Sequence, residues 1–172
     1  MGFLELAKKR FSSRRFTEQV VKRNKLERIL EAAHVAPSAH NYQAYELIVV
    51  QTKEGLDKIG KAGFIYGAKT AIIVCEDKSK AWINPYNGRQ LVSHDATIAT
   101  DHMMLEATEL GIGSVWVCCF DPAIIKSEFN LSENLEAINI LALGHSSGNI
   151  LSSERHDRVR KSLDELVRYE SI

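Results

Sequence analysis

An α+β or α/β sandwich is predicted for this 172-residue chain by three observations. Short β-branched runs recur along the sequence, segments with apolar residues at helical spacing stand between them, and the two kinds interleave to the end. Four strands would then form one sheet packed between helices. From Lys25 to Val35 the apolar residues Leu26, Ile29, Leu30 and Ala33 lie on one helical face, and Pro37 stops the helix. That helix delivers the chain directly into a turn, Pro37 to Gln43. Leu47–Val50 and Ala71–Cys75 have the composition of buried strands, with a helix predicted between them from Lys53 to Lys61. Asp95 to Leu110 carries Ile98, Ala99, Met103, Leu105 and Leu110 around most of a helix, which places it at the centre or at a subunit interface. Gly111 and Gly113 end it. Val115–Cys118 reads as a third strand, Asp121 caps and Pro122 opens a helix through Phe129, and Ala137–Leu143 is a fourth strand closed by Gly144. The order of the strands is left open.

Residues 1–172 suit a single domain, with no repeat, low-complexity tract or dividing linker. Lys+Arg and Asp+Glu number 22 each, so no electrostatic excess is available to hold a nucleic-acid backbone or an anionic membrane, and neither partner is expected. No apolar run approaches bilayer-spanning length and the first residues lack a secretory core, so the expected location is cytoplasmic. The cysteines are Cys75, Cys118 and Cys119, without C-x-x-C or ligand-spaced histidine, which argues against zinc. Cys118 and Cys119 are expected to end the third strand as small packing residues, one side chain inward and the other outward. The pairs His94-Asp95 and Asp101-His102 are expected in surface or capping roles.

Arg10, Ser12 and Arg14 alternate along the chain. Two guanidinium groups can hold a phosphate bidentately while the hydroxyl takes a remaining oxygen, so a phosphomonoester is the anion that fits. A second basic segment, Arg155, Arg158, Arg160 and Lys161, either closes on the same anion or is a solvated stretch before the turn Leu163–Val167. The Pro37–Gln43 turn supplies hydroxyl, carboxamide and backbone groups able to bond the edge of a planar heterocycle, although Asn41 and Gln43 could equally bond their own turn. Gly111-Ile112-Gly113 follows a helix and precedes a strand, the reverse of the dinucleotide-binding order, so a Rossmann reading is rejected. No G-x-S-x-G, H-E-x-x-H or metal-ligand spacing occurs. No side chain is singled out as a catalytic acid, base or nucleophile. Phe64, Tyr66, Trp82 and Tyr86 are left open between core and pocket lining.

Taken in order, these pieces resemble the nitroreductase family across nearly the whole chain. The resemblance rests on Arg10-x-Ser12-x-Arg14-x-Phe16, Ala36-Pro37-Ser38 with Asn41-x-Gln43, Asp95-Ala96-x-Ile98-Ala99 with Met103-Met104-Leu105-x-Ala107, Leu110 through Val117, and Phe120-Asp121-Pro122. Leu141-Ala142-Leu143-Gly144 and Arg160 through Glu165 complete it. It implies an α+β fold with a central mixed β-sheet packed by helices, a homodimer with extensive helix exchange, and FMN at the subunit interface. Arg10 and Ser12 would hold the phosphate end, with Arg160 or Lys161. Arg14 would lie nearer the ribityl chain and pyrimidine edge. Pro37, Ser38, Ala39 and Asn41, with Gln43, would approach the flavin from the partner subunit, and the backbone of Val115, Trp116 and Val117 would run beside the ring.

The implied activity is transfer of reducing equivalents from NADH or NADPH to a small nitroaromatic or quinone-like acceptor by a ping-pong mechanism, the chemistry being carried by the cofactor. A specialised flavin reaction such as reductive dehalogenation, or a non-catalytic FMN-holding or redox-sensing module, stands as the alternative. Three departures from the family pattern fall near the expected ring: His40 where a small residue or methionine is common, Ala44 in place of a frequent proline, and the heavier Cys118-Cys119 where glycine often follows the strand.

Overall fold

The computed structural model describes residues 2–170. Strands β1 (Tyr45–Val50), β2 (Thr70–Asp77), β3 (Gly113–Val117) and β4 (Leu135–Gly144) form one sheet in the order β1-β2-β4-β3. All three pairings are antiparallel. The sheet is therefore not mixed as expected from the resemblance; among the described residues its parallel component is the isolated bridge between Ser12 and Ser114. The connection explains this. Helix α3 (Lys53–Ala62) and the return segment 63–69 leave and re-enter at the same end of the sheet, where Val50 faces Ala71, so β2 runs back along β1.

Side chains alternate across the sheet and divide the core into two layers. Ile72 and Val74 of β2 and Leu141 and Leu143 of β4 pack on α2 (Arg23–His34) and α4 (His94–Glu109). Ala71, Ile73, Cys75, Ile140 and Ala142 pack on α3 and on α5 (Pro122–Glu128). Helices cover both faces, so β2 is buried along its whole length and its centre, Ala71–Cys75, is an unbroken apolar run. Full burial of side chains such as Ile29, Ile59, Ile72 and Leu141 contributes about 2 kcal/mol each. Between Val74 and Cys75 the pairing with β4 skips from Asn139 to Ala137, leaving Ile138 as the extra residue of a bulge.

Local signals account for the helix ends. Thr52 accepts from the Gly55 N–H at 3.1 Å, and Asp121 from the Ala123 N–H at 2.8 Å, each satisfying a donor of an opening turn. Of the two positions expected of α4, the centre or a subunit interface, the single chain shows the first for Ala96, Ala99, Met103, Met104 and Ala107, which are buried. Gly111 ends it with φ +70°, the conformation that favours glycine. Gly113 has a different role, because it lies in β3 where a Cβ would stand 2.1 Å from Ser146 Oγ and 3.0 Å from Ser13 Cβ. A short α1 (Phe3–Lys9), unforeseen from the sequence, precedes these elements, and α6 (His156–Val159) and α7 (Leu163–Leu166) follow them.

Two side-chain expectations are corrected. β3 ends at Val117, so Cys118 and Cys119 leave the sheet and are both exposed rather than divided between inside and outside. Asp95 is buried rather than superficial, because the first turn of α4 is covered by the 37–43 turn, whose Ala39 N–H donates to Asp95 Oδ1 at 2.9 Å.

Candidate functional site

The segment carrying Arg10, Ser12 and Arg14 is held extended against the sheet. Ser12 bridges Ser114 at the edge of β3, and Phe16 bridges Ser146 just beyond β4. The Ser13 N–H donates to the Ser114 carbonyl at 2.8 Å, the Thr17 N–H to the His145 carbonyl at 2.8 Å, and the Ser147 N–H to the Arg15 carbonyl at 3.1 Å. Ser13 is buried, with its Oγ 2.8 Å from Ser146 Oγ, in the space that the missing Gly113 side chain leaves free. Alternation then turns Ser12 and Arg14 away from Ser13. The guanidinium of Arg14 lies 5.9 Å from the Tyr66 ring centroid, a cation–π distance.

Arg10, Ser12, Arg14 and Arg160 line one cleft of about 190 Å³, together with Arg155 and His156. The late basic segment thus closes on the early one, and Arg160 rather than Lys161 lines the cleft. Arg155 fastens the two ends of the chain. Its guanidinium donates to the carbonyls of Lys8 at 3.1 Å, Ser152 at 2.8 Å and Arg10 at 2.5 Å. Burial, and then the charges of Arg155 and Arg160, push the Arg10 guanidinium below its ordinary value, with Asp101 offsetting part of the effect. Such a cluster holds more positive charge than its own carboxylates neutralise. An anion is the complement that relieves it.

The 37–43 turn is strained and internally fastened. His40, Asn41 and Gln43 have φ of 51°, 57° and 50°, left-handed values that cost side-chain-bearing residues about 1 kcal/mol or more each. The Gln43 N–H donates to Ser38 Oγ at 3.0 Å, and Gln43 Nε2 to the Asn41 carbonyl at 2.8 Å. In the single chain the Gln43 carboxamide thus bonds within its own turn. His40 stacks on Trp82 with centroids 5.3 Å apart and planes 18° apart, and lies 5.7 Å from Tyr42. Pro37, His40, Asn41, Tyr42 and Gln43 are exposed, while Ser38 and Ala39 are half-buried. This turn lies outside the lining of the arginine cleft, so one chain presents two separate parts of the anticipated site.

β3 stands at the edge of the sheet. Val115 and Val117 point into the layer under α3 and α5, and Trp116 packs against the opposite layer. Their backbones pair with Ala142, Leu141 and Ile140 on the inner side, while the outer edge is bridged by Ser12 at Ser114. Past that bridge, no strand among the described residues flanks the outer edge.

Against the start of α4 lies a polar feature that sequence reasoning missed. Glu76 is fully buried on the α4 face of β2, where its Oε2 accepts from the Ala96 N–H at 3.0 Å and its Oε1 has no hydrogen-bond partner. Burial pushes its carboxyl up to about 7; the Ala96 bond opposes that rise, and the Asp95 and Asp77 charges add to it. Glu76 and Asp77 follow the apolar run Ala71–Cys75, and acidic residues there read equally as the solvent end of the strand, so only the neighbours of Glu76 reveal its burial. No metal-ligand cluster occurs among the described residues.

The model of the nitroreductase family matches residues 7–64 and 60–145, and so covers the 10–16 segment, the 37–43 turn and all four strands. The chain belongs to the nitroreductase family. Among relatives of this family, a protein of Archaeoglobus fulgidus named "Putative NADH dehydrogenase/NAD(P)H nitroreductase" is 32% identical over 164 residues, covering 90% of this chain and 91% of the relative. A crystal structure of a nitroreductase family protein from Clostridium difficile 630 superposes with a TM-score of 0.98 at 52% identity, covering both chains entirely. A second solved structure, described as an FMN-dependent nitroreductase from Clostridium difficile R20291, has a TM-score of 0.75 at 28% identity, with 99% of each chain covered. The nitroreductase fold of this chain accordingly runs from its first described helix through the C-terminal basic segment.

Proposed function

We propose that this nitroreductase-family chain is an FMN-dependent oxidoreductase that passes reducing equivalents from NADH or NADPH to small nitroaromatic or quinone-like acceptors, working as a homodimer. The observation that carries the proposal is the cleft in which Arg10, Ser12, Arg14 and Arg160 converge from opposite ends of the sequence. The names of relatives from Archaeoglobus fulgidus and Methanothermobacter thermautotrophicus supply the NAD(P)H donor, and the Clostridium difficile R20291 structure supplies FMN.

The residues present fit an FMN phosphate. Guanidinium groups of Arg10 and Arg160 would form charge-assisted bonds to its oxygens, and the Ser12 hydroxyl would donate one more. Arg14, fixed over Tyr66, would place a cation nearer the ring, where it favours the reduced form. The open edge of β3 at Val115, Trp116 and Val117 offers backbone groups to a planar heterocycle. Pro37, Ser38, Ala39, Asn41 and Gln43 would come from the partner subunit, since in one chain they lie outside the arginine cleft. FMN, when bound, supplies the redox chemistry, which is why the chain needs no acid, base or nucleophile of its own.

Exposed apolar residues at both chain ends support the dimer. Phe3 and Leu4 on α1, Leu163 and Leu166 on α7, and Tyr169 beyond it are all exposed in the single chain. Leaving such side chains in water forfeits about 1.5–3 kcal/mol each relative to burial. No helix among the described residues is long and apolar enough to cross a membrane.

The deciding experiment is the absorbance spectrum of the purified protein with the released flavin identified, followed by anaerobic addition of NADH and of NADPH. Bound FMN that bleaches supports the assignment, and protein that neither carries nor takes up FMN sinks it. With an acceptor present, parallel initial-rate lines are expected for the ping-pong mechanism, and intersecting lines would contradict that part alone.

A further inference from the structure

We propose that Asp95 is a positioning residue for the flavin, holding the 37–43 turn in the conformation that meets the cofactor; the proposal rests on the FMN assignment. Asp95 opens the Asp95-Ala96-x-Ile98-Ala99 motif and stands in the first turn of α4. An acidic residue there ordinarily serves its own helix, through the macrodipole or as a cap. Here Glu76 Oε2 takes the Ala96 N–H at 3.0 Å, and Asp95 Oδ1 reaches out of the helix to accept from the Ala39 N–H at 2.9 Å. Asp95 is only 3% exposed in the single chain, and a partner subunit or a bound flavin can only bury it further.

The turn needs such an anchor. His40, Asn41 and Gln43 all hold left-handed φ, a conformation that residues with side chains leave unless their surroundings impose it. Most hydrogen bonds of the turn close on itself: the Asn41 N–H donates to the Ser38 carbonyl and the Tyr42 N–H to the Ala39 carbonyl, both at 3.0 Å, and the Gln43 N–H to Ser38 Oγ at 3.0 Å. Among the described residues, the bond from Ala39 to Asp95 is the one that ties 37–43 to an element distant in sequence. The His40–Trp82 stack adds a contact, but to a segment outside helices and strands. Asp95 instead rides on α4, whose Ala96, Ala99 and Met103 are fully buried in the core layer shared with Ile72, Val74 and Leu141. The amide that Asp95 fixes lies between Ser38 and Asn41, the residues assigned to the partner's flavin. Asp95 of one chain therefore acts on the FMN whose phosphate the other chain holds. Without the acceptor, fewer molecules hold the turn ready for the cofactor, and apparent affinity falls in proportion.

The test is fluorescence titration of flavin-stripped protein with FMN. Asp95→Asn keeps the acceptor and should bind within about threefold of wild type, whereas Asp95→Ala removes it and should bind roughly 10- to 100-fold more weakly. Asp95→Val fills most of the vacated space without an acceptor; it should match alanine and stands in for it if that variant does not fold. In flavin-free protein, hydrogen exchange of the 37–43 segment should rise in the alanine and valine variants while β2 stays protected. A mixed dimer of Arg10→Ala and Asp95→Ala chains, isolated through two different tags, carries both defects in one of its sites and neither in the other. It should bind one FMN as tightly as wild type and a second one weakly. Alanine and valine variants that bind FMN like wild type, whatever their Tm, would overturn the proposal. So would an asparagine variant as weak as alanine, or a mixed dimer with no site of wild-type affinity. Wild type that takes up no FMN would sink the cofactor assignment and the flavin role with it, a failure told apart by turn exchange that still responds to Asp95.

Discussion

Replacing Glu76 by glutamine isolates the cost of one buried carboxylate. The side chain is fully buried, one oxygen is bonded to the Ala96 N–H, the other is unpartnered, and the carboxyl is raised from an ordinary 4.5 to about 7. A carboxyl raised in the folded state holds its proton longer there than in the unfolded chain. Stability is therefore greatest below the unfolded value and is lost as pH rises from 4.5 toward 7. The difference of about 2.5 units corresponds to about 3 kcal/mol at 1.36 kcal/mol per unit, lost almost completely by pH 8. Glutamine keeps the acceptor for Ala96 and cannot ionise. Glu76→Gln should therefore match the wild type within about 1 kcal/mol at pH 5 and exceed it by 1–3 kcal/mol at pH 8, or roughly 2–4 °C in Tm per kcal/mol for a chain of this length. The assay is urea or thermal unfolding of both proteins from pH 4.5 to 8. All other titrating groups are common to the two, so stability curves that stay parallel across this window would refute the burial argument.

Arg10→Ala should weaken FMN retention about 10- to 100-fold, the range for losing charge-assisted bonds worth about 1.5–3 kcal/mol, read by fluorescence titration of flavin-stripped protein. Unchanged affinity would remove Arg10 from the phosphate site. Gly113→Ala puts a methyl group into the space occupied by Ser13 and Ser146 and should cost about 1–3 kcal/mol by denaturant unfolding. Combining it with Ser146→Ala relieves the 2.1 Å approach, and the double variant should recover part of the loss. Charging the exposed apolar C-terminal turn with Leu163→Asp and Leu166→Asp should shift the protein from dimer to monomer in sedimentation velocity and weaken FMN binding with it. A dimer that survives both changes would show that α7 lies outside the interface.

Much of the layout was determined by the sequence alone. The β-branched runs of β1, β2 and β4, the helical spacing of α2 and α4, and the Asp121-Pro122 start of α5 are local signals, each written within one turn or one strand and needing no distant partner. The family resemblance was also legible, because it resides in short motifs in a set order. What only tertiary structure decided involves residues far apart in the chain. The antiparallel sheet order follows from where α3 and the 63–69 segment return the chain, which no local propensity encodes. The sequence singled out Arg10 but left open whether the Arg155–Lys161 segment closes on it or is solvated, and that is decided where the chain ends meet, with Arg155 bonded to the Arg10 carbonyl at a separation of 145 residues. Glu76 becomes a buried acid where the first turn of α4 meets it through the Ala96 N–H, and Cys118 and Cys119 become an exposed pair because β3 stops one residue before them. Burial, pairing and electrostatic environment depend on what comes to lie against a residue, and for these positions the neighbours come from other parts of the fold.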